Sequence, residues 1–299
     1  MEQEQEVYKN KIIAYIVSLL PDRLRSACNN YLMSYSEITE LRLRIDAPIS
    51  FSINGTNLIT GMKCSRDDIG YCVDRITDGN YFKNEELMRI GYVSLPYGIR
   101  AGVCGDVFVS GGAVKVLRCV NYINIRIPSV LLVNCEKVLS YIQDSGFSTS
   151  ILVFSPPCGG KTTLLRSIAY ALGTSPYQKR VSVIDTNREL GVRAFADNNI
   201  CEYLSGYPKA YGINMAIRYM NPEYIICDEI GLKDEIEAIS ETMRSGVPLI
   251  ASLHADSFVS VKQKGKVSEL LGNGVFDTLL KISRIGKSYD YELKKVSEL

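Results

Sequence analysis

Histidine is almost absent from this sequence of 299 residues, since His254 is its single copy. A zinc site built on several histidines is therefore excluded. The nine cysteines include no Cys-x-x-Cys pair, so the spacing of a four-cysteine zinc site is missing as well. An odd number of scattered cysteines in a chain without a predicted signal peptide favours reduced thiols and a cytoplasmic location.

Long apolar runs and a strong net charge are also lacking. No run of about eighteen apolar residues occurs, so the sequence predicts no transmembrane helix. The acidic start, Met1 to Glu6, does not have the pattern of a signal peptide. The formal net charge is +1, which gives no overall electrostatic footprint for nucleic acid, and no nucleic-acid partner is expected. The length favours about two domains.

What the sequence does contain is a strand, loop and helix pattern around residues 155–162. The apolar run Ile151–Phe154 predicts a buried strand, and the pattern from Thr163 to Leu172 predicts an amphipathic helix. Between them, Ser-Pro-Pro-Cys-Gly-Gly-Lys-Thr fits the pattern G-x-x-x-x-G-K-[ST], except that Ser155 replaces the first glycine. This context favours a phosphate-binding loop, and a plain glycine turn is the alternative.

Each residue type in this loop serves phosphate chemistry. Adjacent glycines allow backbone conformations in which successive N–H groups point at phosphate oxygens, and the helix N-terminus adds donors and partial positive charge. A lysine can reach the β- and γ-phosphates, and a hydroxyl can ligate Mg²⁺. We therefore expect ATP and Mg²⁺ as cofactors. The expected nucleotide-binding residues are Ser155, Pro156, Pro157, Cys158, Gly159, Gly160, Lys161, Thr162 and Thr163, with Lys161 also catalytic and Thr162 also a metal ligand.

A second predicted strand ends in two carboxylates. The apolar run Tyr224–Cys227 is followed directly by Asp228 and Glu229. Asp228 at the strand end is expected to hold the Mg²⁺ shell, and Glu229 to orient or deprotonate the attacking water. An apolar strand ending in two acids is weak evidence by itself, but it gains weight after Lys161 in the same alternating pattern.

Four more polar positions are candidates, each with an alternative. Asp185 ends the apolar run from Val181, and Glu189 follows it, so both are candidates for metal or water chemistry; the alternative is a loop cap and a solvated glutamate. Arg218 is a candidate to neutralise phosphate charge, and a surface salt bridge is equally compatible. His254 ends the apolar run from Leu249, where it could sense the γ-phosphate or simply pack.

The pattern of strands and helices divides the chain at about residue 136. In 137–299, apolar runs alternate with helical patterns, which predicts an α/β domain with a mostly parallel sheet covered by helices. In 1–136, the elements are mixed, which predicts a smaller α+β domain. The predicted helices are 8–20, 67–77, 138–145, 163–172, 210–220 and 233–245. The predicted strands are 40–45, 114–120, 122–127, 151–154, 181–184, 224–227 and 248–253, together with a hairpin over 48–60 that turns at Asn54-Gly55 and a strand-like stretch over 91–109 that turns at Tyr97-Gly98.

Several stretches together resemble a known family. The loop from Ser155 to Arg166, the segment Asn221-Pro-Glu-Tyr-Ile-Ile-Cys-Asp-Glu-Ile-Gly231 and Gly274-Val-Phe-Asp277 are similar to the stage III sporulation AA family of secretion-type ATPases. The resemblance extends to Glu40-Leu-Arg-Leu-Arg44 and to 91–105 and 124–127, so nearly the whole chain is covered.

This resemblance implies a ring-forming ATPase with a RecA-like core, expected as a homo-hexamer. It implies a cytoplasmic protein, peripheral to the membrane on the mother-cell side of an endospore, that powers a membrane-embedded secretion-like channel. An ATP-binding scaffold with little turnover and a nucleic-acid translocase are the alternatives. The arginines that such a ring could supply between copies are Arg100, Arg118 and Arg126, for which ordinary surface cations are the alternative.

The sequence departs from the family pattern at three places. Cys158 precedes Gly159, whereas the family carries glycine before cysteine. Thr186 and Asn187 replace the family's Glu-Arg after the aspartate, which leaves the base assignment open between two glutamates. Ala255 replaces the glycine that follows the histidine in the family.

Overall fold

A computed structural model describes residues 2–34, 38–53, 55–81, 85–128, 132–191, 199–231, 233–286 and 288–299. The chain forms two compact units, Met1–Val130 and Leu131–Leu299. Val133 and Asn134 precede the boundary expected at 136, but they belong to the second unit. The Val133 amide donates to Ser167 Oγ over 2.9 Å, and the Tyr291 hydroxyl donates to the Asn134 carbonyl oxygen over 2.7 Å.

The first unit is an antiparallel sheet with helices, as expected for an α+β domain. The sheet order is β3-β2-β1-β6-β5-β4, with every neighbouring pair antiparallel. The two strands expected over 114–120 and 122–127 form one continuous strand that ends at Arg126, whereas a helix over 22–34 was not predicted. The elements are α1 (Glu2–Ser18), α2 (Asp22–Ser34), β1 (Ile38–Arg44), β2 (Pro48–Ile53), β3 (Thr56–Lys63), α3 (Arg66–Ile76), α4 (Glu85–Ile90), β4 (Tyr92–Ser94), β5 (Arg100–Ser110) and β6 (Ala113–Arg126).

The second unit is built around a seven-stranded sheet of order β13-β12-β7-β11-β10-β8-β9. All neighbouring strands are parallel except the β12–β13 pair, which confirms the mostly parallel sheet. The elements are α5 (Glu136–Asp144), β7 (Ile151–Ser155), α6 (Lys161–Gly173), β8 (Val181–Asp185), β9 (Cys201–Ser205), α7 (Lys209–Met215) with a π-helical turn over Ala216–Met220, β10 (Tyr224–Cys227), α8 (Lys233–Ser245), β11 (Leu249–His254), α9 (Phe258–Lys262), α10 (Gly265–Gly272), β12 (Thr278–Ile285) and β13 (Ser288–Lys295).

The core of the second unit lies on both faces of this sheet. Successive residues of β7 point to opposite faces, so Leu152 and Phe154 pack on one side while Ile151 and Val153 pack on the other. Helix α6 covers the second side and α8 and α10 the first. Each of these fully buried side chains contributes about 1.5–3 kcal/mol relative to exposure. Burial on both faces explains why the strands read as continuous apolar runs.

Parallel pairing brings the carboxyl ends of four strands to one edge. Strands β7, β11, β10 and β8 are neighbours in that order, and they end at or just before Ser155, His254, Asp228 and Asp185. In open α/β sheets this edge is where ligands bind. Ser155, His254, Asp228 and Asp185 therefore lie along one edge of one sheet.

Candidate active site

The phosphate loop (residues 155–162) is shaped by two glycines for different reasons. A Cβ on Gly159 would lie 2.2 Å from Ser155 Oγ, so the serine hydroxyl occupies the space that a side chain would need. Gly160 has φ +95°, and a Cβ there would lie 2.4 Å from Cε1 of Tyr289 on β13. Glycine is therefore required at 159 because a side chain would meet Ser155. It is required at 160 because a side chain would meet Tyr289 and because the backbone there has a positive φ.

Helix α6 begins at Lys161, so its first two residues are also the last two of this loop. Gly160 is its N-cap and offers no side-chain acceptor, and the first amides of a helix have no partner within the helix. Thr162 and Thr163 lie in this first turn and are half-buried. The local structure is therefore a helix N-terminus whose donors and partial charge suit an anion.

Lys161 is buried at the start of α6, with 7% of its surface exposed. Its ammonium donates to Ser155 O over 3.1 Å and to Pro156 O over 3.2 Å, with Ser155 Oγ at 3.3 Å. Burial lowers the pKa of Lys161, and the nearby Glu229 carboxylate and the Cys158 thiol act in the opposite direction. The Lys161 side chain thus lies across the end of β7 and contacts the first two residues of the phosphate loop.

His254 joins this lysine to a carboxylate. His254 pairs with Ser155 in the register of β11 and β7, which places the imidazole beside the loop. Its Nδ1 lies 2.9 Å from Lys161 Nζ, and its Nε2 lies 3.3 Å from Glu229 Oε1. Three of the expected catalytic residues therefore meet, and the structure favours contact over plain packing for this histidine.

Asp228, the first acid after β10, is buried and paired with a lysine. Its Oδ1 lies 3.6 Å from Nζ of Lys209, and Asn187 Nδ2 donates to its Oδ2 over 3.4 Å. Burial raises the pKa of Asp228, while Lys209 opposes the rise and Asp185 adds to it. Lys209 was not foreseen from the sequence, because a lysine at the start of a helix carries no motif.

Asp185 is a loop cap in this structure. Its Oδ1 accepts the Glu189 amide over 2.7 Å and its Oδ2 accepts the Gly191 amide over 2.6 Å. The Glu189 side chain is exposed, and its carbonyl oxygen accepts a hydrogen bond from Arg166 Nη2 over 2.6 Å. These bonds match the loop-cap alternative for Asp185, and its metal role stays a prediction.

The remaining expected site residues lie apart from the group of Lys161, His254 and Glu229. Arg218 is exposed on the π-helical turn after α7, and no contact among the described residues joins it to the loop. The three arginines considered for contact between copies lie in the first unit, where Arg118 stacks on the Phe108 ring at 5.1 Å and Arg126 lies 3.8 Å from Glu40. Their roles between copies stay predictions.

The residues at the loop fit a magnesium ion only in part. Mg²⁺ in nucleotide sites keeps several waters and takes one or two protein oxygens, so the Thr162 hydroxyl in the first turn of α6 is a suitable ligand. Asp185 already uses both oxygens, and Asp228 is paired with Lys209, although its Oδ1 has no hydrogen-bond partner among the described residues. Over the described ranges, no group of three or more His, Cys, Asp or Glu residues could hold a metal.

Within the part of the chain that the structure describes, none of the helices combines the length and apolar character needed to cross a membrane.

Comparisons with known proteins agree with this fold. The chain is 30% identical over 279 residues to stage III sporulation protein AA of Bacillus subtilis, covering 90% of each chain. Its fold is similar to that of the Legionella pneumophila ATPase DotB (TM-score 0.59, 15% identity, 87% of this chain and 77% of that one). It is also similar to the pilus retraction motor PilT with bound ADP (TM-score 0.60, 14% identity, 88% and 80%).

The two structural likenesses show the fold alone, and they confirm the RecA-like core. The family described as "Sporulation stage III, protein AA" matches residues 9–290, which is nearly the whole chain. On this match and on the identity to the Bacillus subtilis protein, the chain belongs to the sporulation stage III protein AA family.

Proposed function

We propose that this protein binds ATP at the phosphate loop and hydrolyses it, and that hydrolysis drives a secretion-like complex. The observation that carries the proposal is the contact of Lys161, His254 and Glu229 at the carboxyl edge of the sheet. These residues come from α6, the end of β11 and the end of β10. A cation and a carboxylate beside a helix N-terminus are suited to phosphoryl transfer to water.

Nucleotide phosphates would bind at the first turn of α6. The amides of Gly160, Lys161 and Thr162 would donate to phosphate oxygens, and the Lys161 ammonium would leave the carbonyl oxygens of Ser155 and Pro156 for the β- and γ-phosphates. The Thr162 hydroxyl would hold Mg²⁺, which when bound neutralises charge on the β- and γ-oxygens. Lys161 is well suited to this move because all its present acceptors are neutral.

Glu229 is the better candidate for the residue that orients water and accepts its proton. Its carboxylate is 57% exposed, so water reaches it, and His254 Nε2 holds one of its oxygens. The main chain of Glu189, in contrast, belongs to the loop capped by Asp185. Glu189 stays the alternative base, and Arg218 stays a candidate for neutralising phosphate charge.

The assembly proposed for this activity follows the family. We expect a homo-hexameric ring in the cytoplasm, peripheral to the membrane on the mother-cell side, acting on a membrane-embedded channel at the forespore membrane. Mass in solution with and without ATP and Mg²⁺ tests the ring size. Six copies with nucleotide are expected, and a closed ring of another size would contradict the hexamer.

Phosphate release from ATP tests the catalytic assignment. Glu229→Gln should lower turnover by about a hundredfold while leaving ATP binding nearly unchanged, since it removes a proton acceptor. Glu189→Gln should keep most of the turnover, and Lys161→Ala should lose ATP binding.

Three outcomes would contradict parts of this proposal. Undiminished turnover in both glutamine variants would reject the assignment of the base. Tight ATP binding without phosphate release by the natural chain would favour the ATP-binding scaffold. A salt-dependent shift of DNA by the chain would favour the translocase, against which the near-neutral charge argues.

A further inference from the structure

Lys209, the first residue of α7, is buried where β10 ends. Only 7% of the residue is exposed. Its ammonium lies 3.6 Å from Asp228 Oδ1 and 3.5 Å from Glu235 Oε1, and it donates to the main-chain oxygen of Glu229. One buried cation therefore ties together the strand end, the proposed base and helix α8.

Helix α7 holds this lysine firmly in place because it lies close against the sheet. A Cβ on Gly212 would lie 2.7 Å from Cγ2 of Ile184 on β8, so the helix backbone lies directly on the strand. Ile213 and Ala216 of the same helical segment are fully buried in the core. The position of the Lys209 ammonium therefore follows from the packing of α7 and does not depend on solvent.

Charge balance alone does not account for a lysine at this place. Burying an ammonium and two carboxylates is costly, and apolar side chains of similar volume are often as stable as a buried ion pair. Asp228 and Glu235 are 5% and 8% exposed, so one cation faces two buried anions. The third partner of Lys209 is the neutral carbonyl oxygen of Glu229, and this hydrogen bond holds the main chain of Glu229.

The main chain that carries Glu229 is fixed at three successive residues. Lys209 holds the Glu229 oxygen, the Ile230 amide donates to Ser252 O over 2.8 Å, and the Gly231 amide donates to Glu235 Oε2 over 2.8 Å. The Glu229 side chain, by contrast, is exposed and reaches His254. The main chain from which this side chain projects is thus held on both sides, and Lys209 is the contact made at Glu229 itself.

We propose that Lys209 is a positioning residue: it fixes the main chain of Glu229 so that the carboxylate faces His254 and the phosphate loop, with Asp228 as its counter-ion. This inference rests on the proposed ATP hydrolysis. It also gives Asp228 a role that requires no metal contact.

The test compares Lys209→Met with Lys266→Met, which changes an exposed lysine in the first turn of α10. ATP turnover gives kcat and KM, and hydrogen exchange of the Ile230 and Gly231 amides reports the position of the main chain without needing turnover. Lys209→Met should lower kcat by about tenfold or more, with KM within about threefold, because the base is misplaced while binding is kept. The two amides should exchange faster, and Lys266→Met should change nothing.

A double variant separates positioning from charge balance. Lys209→Met with Glu235→Gln restores the net charge of the cluster but not the bond to the Glu229 oxygen. We expect the melting temperature to recover and kcat to stay low. Recovery of kcat together with stability would show a counter-ion only and would overturn the inference.

The failure of this inference can be told from the failure of the proposed function. If the natural chain hydrolyses ATP and Lys209→Met keeps its kcat, positioning is wrong and the proposed function stands. If the natural chain releases no phosphate, the proposed function fails. In that case hydrogen exchange of the Ile230 and Gly231 amides in Lys209→Met still decides whether Lys209 holds this main chain. Exchange rates equal to those of the natural chain would reject the role of the Lys209 bond to the Glu229 oxygen as well.

Discussion

Lys161 Nζ lies 2.9 Å from His254 Nδ1, and this distance fixes the chemistry of the imidazole. An ammonium has only donors, so Nδ1 must accept, and the ring proton of a neutral imidazole then lies on Nε2. Nε2 lies 3.3 Å from Glu229 Oε1, to which it can donate. The histidine therefore bridges the phosphate-loop lysine and the proposed base.

The first prediction concerns this bridge. His254→Ala removes both contacts and should lower kcat for ATP hydrolysis by about tenfold to a hundredfold, because Glu229 loses the donor that orients it. His254→Asn keeps an oxygen near the Nδ1 position for Lys161 but does not reach Glu229. If the Glu229 contact matters, the asparagine variant should be as slow as the alanine variant, with ATP binding kept. Full turnover in His254→Ala would contradict the bridge.

The second prediction concerns the space beside Gly159. Gly159→Ala should weaken ATP binding by about tenfold, since a Cβ at 2.2 Å from Ser155 Oγ forces the loop to shift. Ser155→Gly in the same chain removes that oxygen and should recover much of the affinity. Titration of a fluorescent ATP analogue measures both. An alanine variant that binds as well as the natural chain would show that the loop adapts freely.

The third prediction concerns Cys158, which is exposed and has φ +59°. A residue with a Cβ loses about 1 kcal/mol in this left-handed region, so Cys158→Gly should stabilise the protein by up to about that amount in thermal unfolding. Cys158→Ala removes the thiol but keeps the Cβ, and it should bring no gain. Equal effects of the two substitutions would show that the thiol, and not the backbone, decides stability here.

The order of cysteine and glycine in this loop now has a physical reading. The resemblance predicts glycine at 158 and cysteine at 159. The structure shows a backbone at 158 that favours glycine, and a position 159 that the Ser155 hydroxyl leaves without room for a side chain. The sequence shows that cysteine and glycine have exchanged places relative to the family. Only the structure shows that the backbone at 158 is strained for a cysteine and that position 159 is in close contact with Ser155.

The sequence was informative where chemistry depends on residues close together along the chain. The strand, loop and helix around the phosphate loop and the apolar strand before Asp228 are confirmed as elements, because burial on both faces leaves long apolar runs. Strands β9, β12 and β13 were missed, of which β9 and β13 are the two edges of the sheet. β9 buries only Leu204, and β13 alternates charged residues along an exposed edge, so neither leaves an apolar run.

Lys209 could not be found in the same way. Its partners come from the end of β10 and from α8, and only the folding of α7 onto β8 brings them together. The glycine that permits this close approach, Gly212, looks in the sequence like an unfavourable residue inside a helix. The meeting of distant side chains is therefore the part of the site that the sequence does not display.

The last prediction concerns the start of α3 in the first unit and its dependence on pH. Ser65 and Asp68 form a capping box: the Asp68 amide donates to Ser65 Oγ over 3.2 Å, and the Ser65 amide donates to Asp68 Oδ2 over 2.6 Å. Arg23 also donates to the Asp68 carboxylate. Burial raises the pKa of Asp68, but the hydrogen bonds from Arg23 and Ser65 outweigh it and hold the pKa below its ordinary 3.8.

A carboxyl whose pKa is lower in the folded state stabilises that state above the pKa of the unfolded chain. The contribution of Asp68 should therefore be fully present at pH values well above 3.8 and should fade as the pH falls below 3.8 through the lowered value.

At neutral pH, Asp68→Ala should cost about 2 kcal/mol in the free energy of unfolding, since it removes a cap and an ion pair. Asp74→Asn, on the exposed side of the same helix, is the matched control. Urea unfolding followed by circular dichroism at neutral and acid pH should show the difference between the natural chain and Asp68→Ala narrow as the pH falls. A difference that stays constant down to low pH would mean that the carboxylate charge contributes nothing to this cap.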